Sequence, residues 1–352
     1  MKISFAQIAA IRLQSHLLSG AELRTPQAIV SWMGAVQAQD YGMAKWAIGA
    51  RLPASTDKMI EEAFNKGEIL RTHVMRPTWH FVSPEYIREM LLLSAEKIKA
   101  SSRSRDRDLG ITEELYDKSN QVIRKALEGN KHLTRKDLAI ALEKADIAVD
   151  ASRMVHFMMR AEVEAIICSG AMQGKEHTYA LLDERVPASP VVSKEEALAN
   201  SAQRYFRSHS PATLSDFVWW SGLSQTEAKK GLEAVKSDLF SEEIDGQTYW
   251  LSKTFKDIPH PKESVFLLPA FDEYIIAYRD RKAVLPSENH SKVVSSNGVF
   301  RPVIVVNGQV VGLWKKSPNK KQMLALNYFE SAGDSNPHLI EKAIGGYKAF
   351  LI

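Results

Sequence analysis

The chain has 352 residues, 45% apolar and 25% charged, with a net charge of +4; this is an ordinary folded composition with length for two or three cores, which excludes disorder and collagen-like repeats. No stretch approaches the roughly 18 uninterrupted apolar residues of a membrane helix, and Gln7, Arg12, Gln14 and His16 interrupt what would be a signal core, so a soluble, cytoplasmic protein without membrane contact is expected. Cys168 is the only cysteine and the ten histidines show no HExxH-like spacing, so neither a disulfide nor a metal site is expected.

In chain order, residues 3 to 19 place Ile3, Ile8, Ile11, Leu13 and Leu17 at mostly helical spacings and predict a helix capped by Gly20. Thr25-Pro26 starts a second helix, a capping hydroxyl followed by proline at the first helical position. Gly34 and Gly42 bracket AVQAQDY ahead of a third apolar stretch, MAKWAIGARL, and a fourth helical stretch covers Asp57 to Asn65. The period then changes: ILRTHVM and PTWHFV are short, β-branched and aromatic, and predict two strands of a ribbon. Helices followed by such a ribbon describe a winged helix. The Ser-rich run KIKASSRSRDR, with Lys97, Lys99, Arg103, Arg105 and Arg107, predicts a flexible basic loop able to meet phosphate oxygens.

The same order of elements recurs twice. Thr134-x-x-Asp137 and Thr213-x-x-Asp216 are hydroxyl caps with an acid three residues later, and each opens a helix followed by a second one, SRMVHFMMRAEVEAIIC or SQTEAKKGLEAV. A strand HTYALLD follows the first, and a ribbon turning at Asp245-Gly246 follows the second. In the last ninety residues VFLLPAF, KVV and VIVVNGQVVGLW alternate around Asn307-Gly308 and predict a β-rich, barrel-like module closed by a helix from Pro337 to Phe350. Residues 183 to 193 and 256 to 264 read as linkers. The fold class is therefore α+β: three tandem winged-helix units (1–84, 113–186 and 193–256), a connecting helix and basic loop at 85–112, and a C-terminal β-barrel-like module at 263–352.

From Arg279 to Lys321 nine basic residues face only Asp280 and Glu288, a local +7 that leaves the remainder at −3. Together with the basic run near Arg103 this favours a polyanionic partner. No GxxxxGK[ST] or GxGxxG phosphate loop is present, which disfavours nucleotide-driven chemistry.

Five segments carry a resemblance: VQAQDYGMAKWAIGARL (36 to 52), RTHVMRPTWHFVSP (71 to 84), DFVWWSGL (216 to 223), LLPAFDEYIIAYRDRKAVL (267 to 285) and RPVIVVNGQVVGLWK (301 to 315). Their order and spacing resemble those of the AlkZ/YcaQ-type winged-helix DNA glycosylases, which excise bulky alkylated purines and unhook interstrand crosslinks, and the resemblance covers essentially the whole chain. It implies three tandem winged helices with a C-terminal β-barrel, and it assigns the chemistry to a Gln-apolar-Gln motif, here Gln37-Ala38-Gln39. A related branch carries aspartate in the second position. Pro77 departs from the family's wing, where glycine is common, and fixes φ there.

A purine alkylated at N7 or N3 leaves as a neutral base, so two carboxamides that position a water near the anomeric carbon could suffice. Gln37 and Gln39 would lie about 200° apart on a helix but on one side of an extended segment, so joint action demands a non-helical turn between Gly34 and Gly42. Read without the resemblance, Gln37 caps a helix end and Gln39 is a solvated loop residue. Asp40 is expected as the cap of the next helix, in contact with DNA rather than acting as a general base; Tyr41 could support the site or stack on a base, and Trp46 belongs in the core. Arg71, Arg76 and His80 of the ribbon are candidate DNA contacts, with burial the equal alternative for His80. Arg279 and Arg281, alternating in YRDRK, suit a backbone-facing edge, with a salt bridge through Asp280 as the alternative and Arg301 in the same basic stretch, and Trp219-Trp220 is expected in the core.

These readings predict a monofunctional, cofactor-free glycosylase, monomeric on double-stranded DNA carrying alkylated purines, with no lysine placed for a lyase step. The alternative is a winged-helix transcriptional regulator that binds DNA without chemistry.

Overall fold

The computed structural model describes residues 3–20, 22–188, 190–255, 263–317, 323–330 and 336–352. They form an α+β chain that gathers into two compact units, Met1–Glu61 with Leu198–Ile352, and Glu62–Ala197. No described helix is long and apolar enough to cross a membrane. Ser189 and residues 256–262 of the expected linkers, and Lys320 and Lys321 of the basic stretch, lie outside the described residues.

The first helix, Phe5–Ser15, opens with a reciprocal box between Ser4 and Gln7. It ends one turn before Gly20: Leu17 takes φ +58° and the Leu18 N–H closes back on Leu13 O at 2.9 Å, a helix stop made without glycine. Thr25 caps the helix Pro26–Met33. Gly34, at φ +78°, then turns the chain into strand β1, Ala35–Gln37. Helices Tyr41–Gly49 and Asp57–Lys66 follow.

Within the unit Glu62–Ala197, β2 (Leu70–Val74) and β3 (Thr78–Val82) form an antiparallel hairpin in the register Leu70↔Val82 to Val74↔Thr78. Pro77 sits at its exposed tip, where Thr78 N–H bonds Arg76 O around it. A turn of that kind asks for φ near about −75° at its centre, which the pyrrolidine ring supplies. The basic run expected as a loop is instead the second half of a helix, Ile87–Asp108. Ile87, Met90, Leu91, Ser94 and Ile98 form its buried stripe, and packing of that stripe overrides the local preference of serine for turns. Helix Glu113–Leu127, β4 (Leu133–Thr134), helices Arg135–Glu143 and Ala151–Val163, β5 (Ile167–Ser169) and β6 (Thr178–Leu181) complete a three-stranded sheet of order β4-β6-β5. Tyr116, Ile123, Leu138, Phe157 and Leu181 form its core.

In the other unit, helices Leu214–Ser221 and Gln225–Val235 precede the hairpin of β7 (Leu239–Ile244) and β8 (Gln247–Ser252). Its turn places Asp245 and Gly246 at positive φ, as expected of Asp-Gly. The last strands, β9 (Val265–Leu268), β10 (Val303–Val306), β11 (Gln309–Lys316) and β12 (Leu324–Tyr328), make an open antiparallel sheet of order β12-β11-β10-β9, with helix Pro337–Phe350 after it. The expected barrel is thus corrected: the described strands number four and do not close, fewer than the five of even small partly open barrels. KVV is no strand either, since helix His290–Val293 takes most of it. At the Asn307-Gly308 turn, a Cβ on Gly308 would stand 2.9 Å from Ala9 Cβ. Glycine there lets the hairpin tip lie against helix Phe5–Ser15, around a core of Ile8, Ile11, Tyr274, Val284 and Val303.

Candidate active site

The Gln37-Ala38-Gln39 segment is extended and irregular between Gly34 and Asp40, and helix resumes at Tyr41. The geometric demand for a non-helical turn is therefore met, but the two glutamines sit in different surroundings. Gln37 is 6% exposed, and its side-chain oxygen Oε1 is buried with no hydrogen-bond partner. Gln39 is exposed. Asp40 caps the next helix, its Oδ1 accepting from Met43 N–H at 3.0 Å. The Tyr41 ring lies 5.0 Å from Lys45 Nζ, and that ammonium donates to Asp57 at 2.6 Å and Glu61 at 3.0 Å. Trp46 is in the core, donating to Leu267 O at 2.7 Å and packing on Tyr347 and Phe350.

Beneath Gln37 lies a buried polar network that sequence reasoning did not find. The Gln37 backbone N–H donates to Glu273 Oε1 at 2.8 Å, and Trp220 Nε1 donates to Glu273 Oε2 at 3.1 Å. Glu273 and Trp220 are each 1% exposed. The neighbouring Asp272 makes a two-pronged pair with Arg51, at 2.8 and 2.7 Å, and Arg51 also donates to His16 O and Ala47 O. The signal available in the sequence was LLPAFDEYIIAY, two adjacent acids inside an apolar run; buried acids are rare unless paired.

The network continues into two histidines. Tyr278 Oη donates to His209 O at 3.0 Å, so its single proton is used, and His16 Nε2, 2.7 Å away, must donate to it. That leaves His16 Nδ1 buried without a partner, and its pKa is pushed well below the usual value by burial, then by His209, Arg51 and Arg12. Burial also lowers His209, against the opposing pull of Glu273, whose Oε2 is 3.8 Å from His209 Nε2, beyond direct hydrogen-bond range. Arg12, fully buried, donates to Pro211 O and lies 3.5 Å over the Tyr278 ring. Asp216 stands 4.0 Å from Arg12 and accepts the N–H groups of Arg279 and Asp280.

The structure sorts the remaining candidates by burial. Arg71 is 8% exposed, with its guanidinium 4.2 Å over Trp79 and its backbone N–H on Ser169 Oγ. His80 is 1% exposed, with Nδ1 2.9 Å from Thr78 O. Arg281 is 9% exposed, donates to Ile275 O and Arg279 O, and lies over Trp219 and Phe300. These three meet protein: alternation in YRDRK does not bring Arg281 to the surface beside Arg279, because the chain turns there. Arg76 is half-buried at the hairpin tip, while Arg279 and Arg301 are exposed. Arg279 lines a cleft of about 850 Å³ with Lys229, Lys282, Thr213 and Gln247, a cleft in which neither glutamine of the motif takes part. Trp219, expected in the core, is 37% exposed, unlike Trp220. No cluster of His, Cys, Asp and Glu able to hold a metal occurs among the described residues.

Comparison with known proteins brings these observations together. The family model described as DNA glycosylase AlkZ-like matches residues 30–350. The chain is similar to an interstrand DNA cross-link repair glycosylase of Streptomyces sahachiroi, 24% identical over 329 residues that cover 90% of this chain and 88% of that relative. Among solved structures it is similar in fold to the Streptomyces sahachiroi DNA glycosylase AlkZ, with a TM-score of 0.86 at 22% identity over 99% of this chain and 97% of that one.

Proposed function

Because the chain belongs to the AlkZ-like DNA glycosylase family, we propose that it hydrolyses the N-glycosidic bond of cationic N-alkylated purines in duplex DNA, interstrand crosslinks included, through Gln37 and Gln39. The observation that carries this reading is the Gln37 side chain: a buried Oε1 with no donor, on a strand whose backbone is held by a buried carboxylate. An orphaned buried acceptor costs about 1–3 kcal/mol. Such groups ask for a reason, and a site that receives its donor with the substrate is one.

The chemistry asked of the protein is modest. Water attacks C1′ of the damaged nucleotide, the electron pair of the C1′–N bond withdraws into the cationic purine, and the base leaves neutral; the water gives up its proton to solvent and leaves an abasic sugar. Gln37 Oε1 accepts a hydrogen bond from that water and orients it, and Gln39, exposed beside it in sequence, reaches the sugar or lesion. Neither amide titrates. The reaction stops at the abasic site, because Lys45, the lysine of the helix that follows the motif, is tied to Asp57 and Glu61 rather than presented as a nucleophile.

On this reading the helix pairs ahead of hairpins act as three winged-helix units within 1–84, 113–186 and 193–256, and the chain works as a monomer. Arg76 at a wing tip, Arg279, Arg301 and the exposed Lys97, Arg103, Arg105 and Arg107 meet phosphates, while Asp40 and Tyr41 flank the lesion. Arg71 and His80 in one unit, and Arg281 in the other, pack against protein instead.

Duplexes carrying N7-methylguanine or a nitrogen-mustard crosslink, scored for alkali-labile sites, test the proposal. Base release is expected, and Gln37→Ala is expected to slow it about 100-fold or more with DNA binding retained, the scale of losing one oriented polar group. No release from either duplex, with one undamaged sequence bound far better than others, would instead identify a regulator.

A further inference from the structure

Glu273 lies 236 residues from Gln37 in sequence, yet the two are joined by a 2.8 Å hydrogen bond. We propose that Glu273 is a positioning residue for base release: it fixes the peptide from which the Gln37 side chain projects. This rests on the reading of Gln37 given above.

Three features of the geometry support it. First, Glu273 is held from behind. It is the first residue of the short helix Glu273–Ile276, next to the cap residue Asp272. The Asp272 carboxylate grips Arg51, and Arg51 in turn donates to Ala47 O in the helix that follows the motif. The Asp272–Glu273 dipeptide thus holds the motif from both sides, strand β1 through Glu273 and helix Tyr41–Gly49 through Arg51. Second, the carboxylate cannot rotate freely, because its other oxygen accepts from the Trp220 indole at 3.1 Å. Third, that indole lies beside the start of the strand, its Cη2 3.4 Å from where a Cβ on Gly34 would stand, an ordinary contact distance; the glycine itself is called for by φ +78°.

A carboxylate suits the position because it accepts two N–H groups at once. A carboxamide offers one oxygen, and turns its NH₂ against whichever donor remains. Glu273→Gln therefore sets the Gln37 N–H and the Trp220 indole in competition for one acceptor, at nearly unchanged volume. The strand gives way by a fraction of an ångström, and displacements of about 1 Å at a reacting group are worth roughly 100-fold in rate.

The test is single-turnover release of N7-methylguanine from a duplex by the full chain, with duplex affinity and thermal midpoint measured alongside. Glu273→Gln is expected to lower the rate constant about 10- to 100-fold while the affinity stays within about threefold of wild type. Adding Trp220→Phe removes the rival donor, lets the carboxamide oxygen turn to Gln37, and is expected to return at least about tenfold of the lost rate. That rescue separates positioning from a merely structural role, in which a second core substitution could only lower the rate further. A Glu273→Gln rate equal to wild type, or a double variant slower than the single one, overturns the proposal. If Gln37→Ala has by then abolished release, the glycosylase reading stands without it; if the wild type releases nothing, the earlier reading has failed instead.

Discussion

Thr134 with Asp137 and Thr213 with Asp216 start their helices by the same two reciprocal bonds, and beyond those bonds they share nothing. Asp137 is exposed, and its carboxylate serves Thr134, accepting the backbone N–H at 2.9 Å and the hydroxyl at 2.7 Å. Asp216 has no exposure. One of its oxygens caps the helix through Thr213 N–H at 3.0 Å and has Arg12 4.0 Å away, and the other gathers the N–H groups of Arg279 and Asp280 at 2.8 and 3.2 Å. A capping box specifies where a helix begins. Whether its acid also ties distant parts of the chain together depends on what is packed over it, which four residues of sequence do not record.

Asp216→Ala would strand three N–H groups and leave Arg12 buried beside no carboxylate, so a loss of about 3–5 kcal/mol is expected, read from the denaturant midpoint of the full chain. A loss no larger than that from removing an exposed cap would show that burial adds nothing.

Acid should act on the same network. His16 and His209 are held below their usual pKa, in both cases chiefly by burial. A base with a depressed folded-state pKa takes up protons on unfolding, so its contribution to stability is complete above the unfolded value and is lost as pH falls below about 6.5. The thermal midpoint is therefore expected to drop between about pH 7.5 and pH 5.5, and His16→Gln to flatten that drop. An equal drop in the variant would place the sensitive group elsewhere.

What the sequence shows and hides follows the same division. Asp245-Gly246 and Asn307-Gly308 were legible as turns because their chemistry is local: residues at positive φ close Ile244 onto Gln247 and Val306 onto Gln309. Thr25-Pro26 and both T-x-x-D starts were legible for the same reason. KIKASSRSRDR misled because its serines speak for turns, while the stripe that makes it helical lies mostly upstream, at Ile87, Met90 and Leu91. At the site, Gln37 and Gln39 stood out through resemblance and their extended path through the flanking glycines. Glu273 did not, since its partners are 236 and 53 residues away. The burial of Arg281 was hidden because strand alternation was assumed where the chain turns, and its guanidinium folds back onto Ile275 O and Arg279 O.

The remaining effects are local. Thr134→Ala removes only the cap hydroxyl, and about 1 kcal/mol is expected in the same denaturant assay. Asp137 should matter least and in a particular range of pH. Its pKa is lowered by its bonds to Thr134, so its contribution is present above the unfolded-state value and disappears as pH falls through the lower folded one. Asp137→Asn keeps an acceptor for the Thr134 N–H but cannot ionise, so wild type and variant should differ slightly near neutrality and converge below about pH 4. Convergence marks a carboxylate whose work ends at its own helix. A difference that persisted in acid would mean that Asp137 stabilises through contacts independent of its charge, and the exposed box would then resemble the buried one more closely than its geometry indicates.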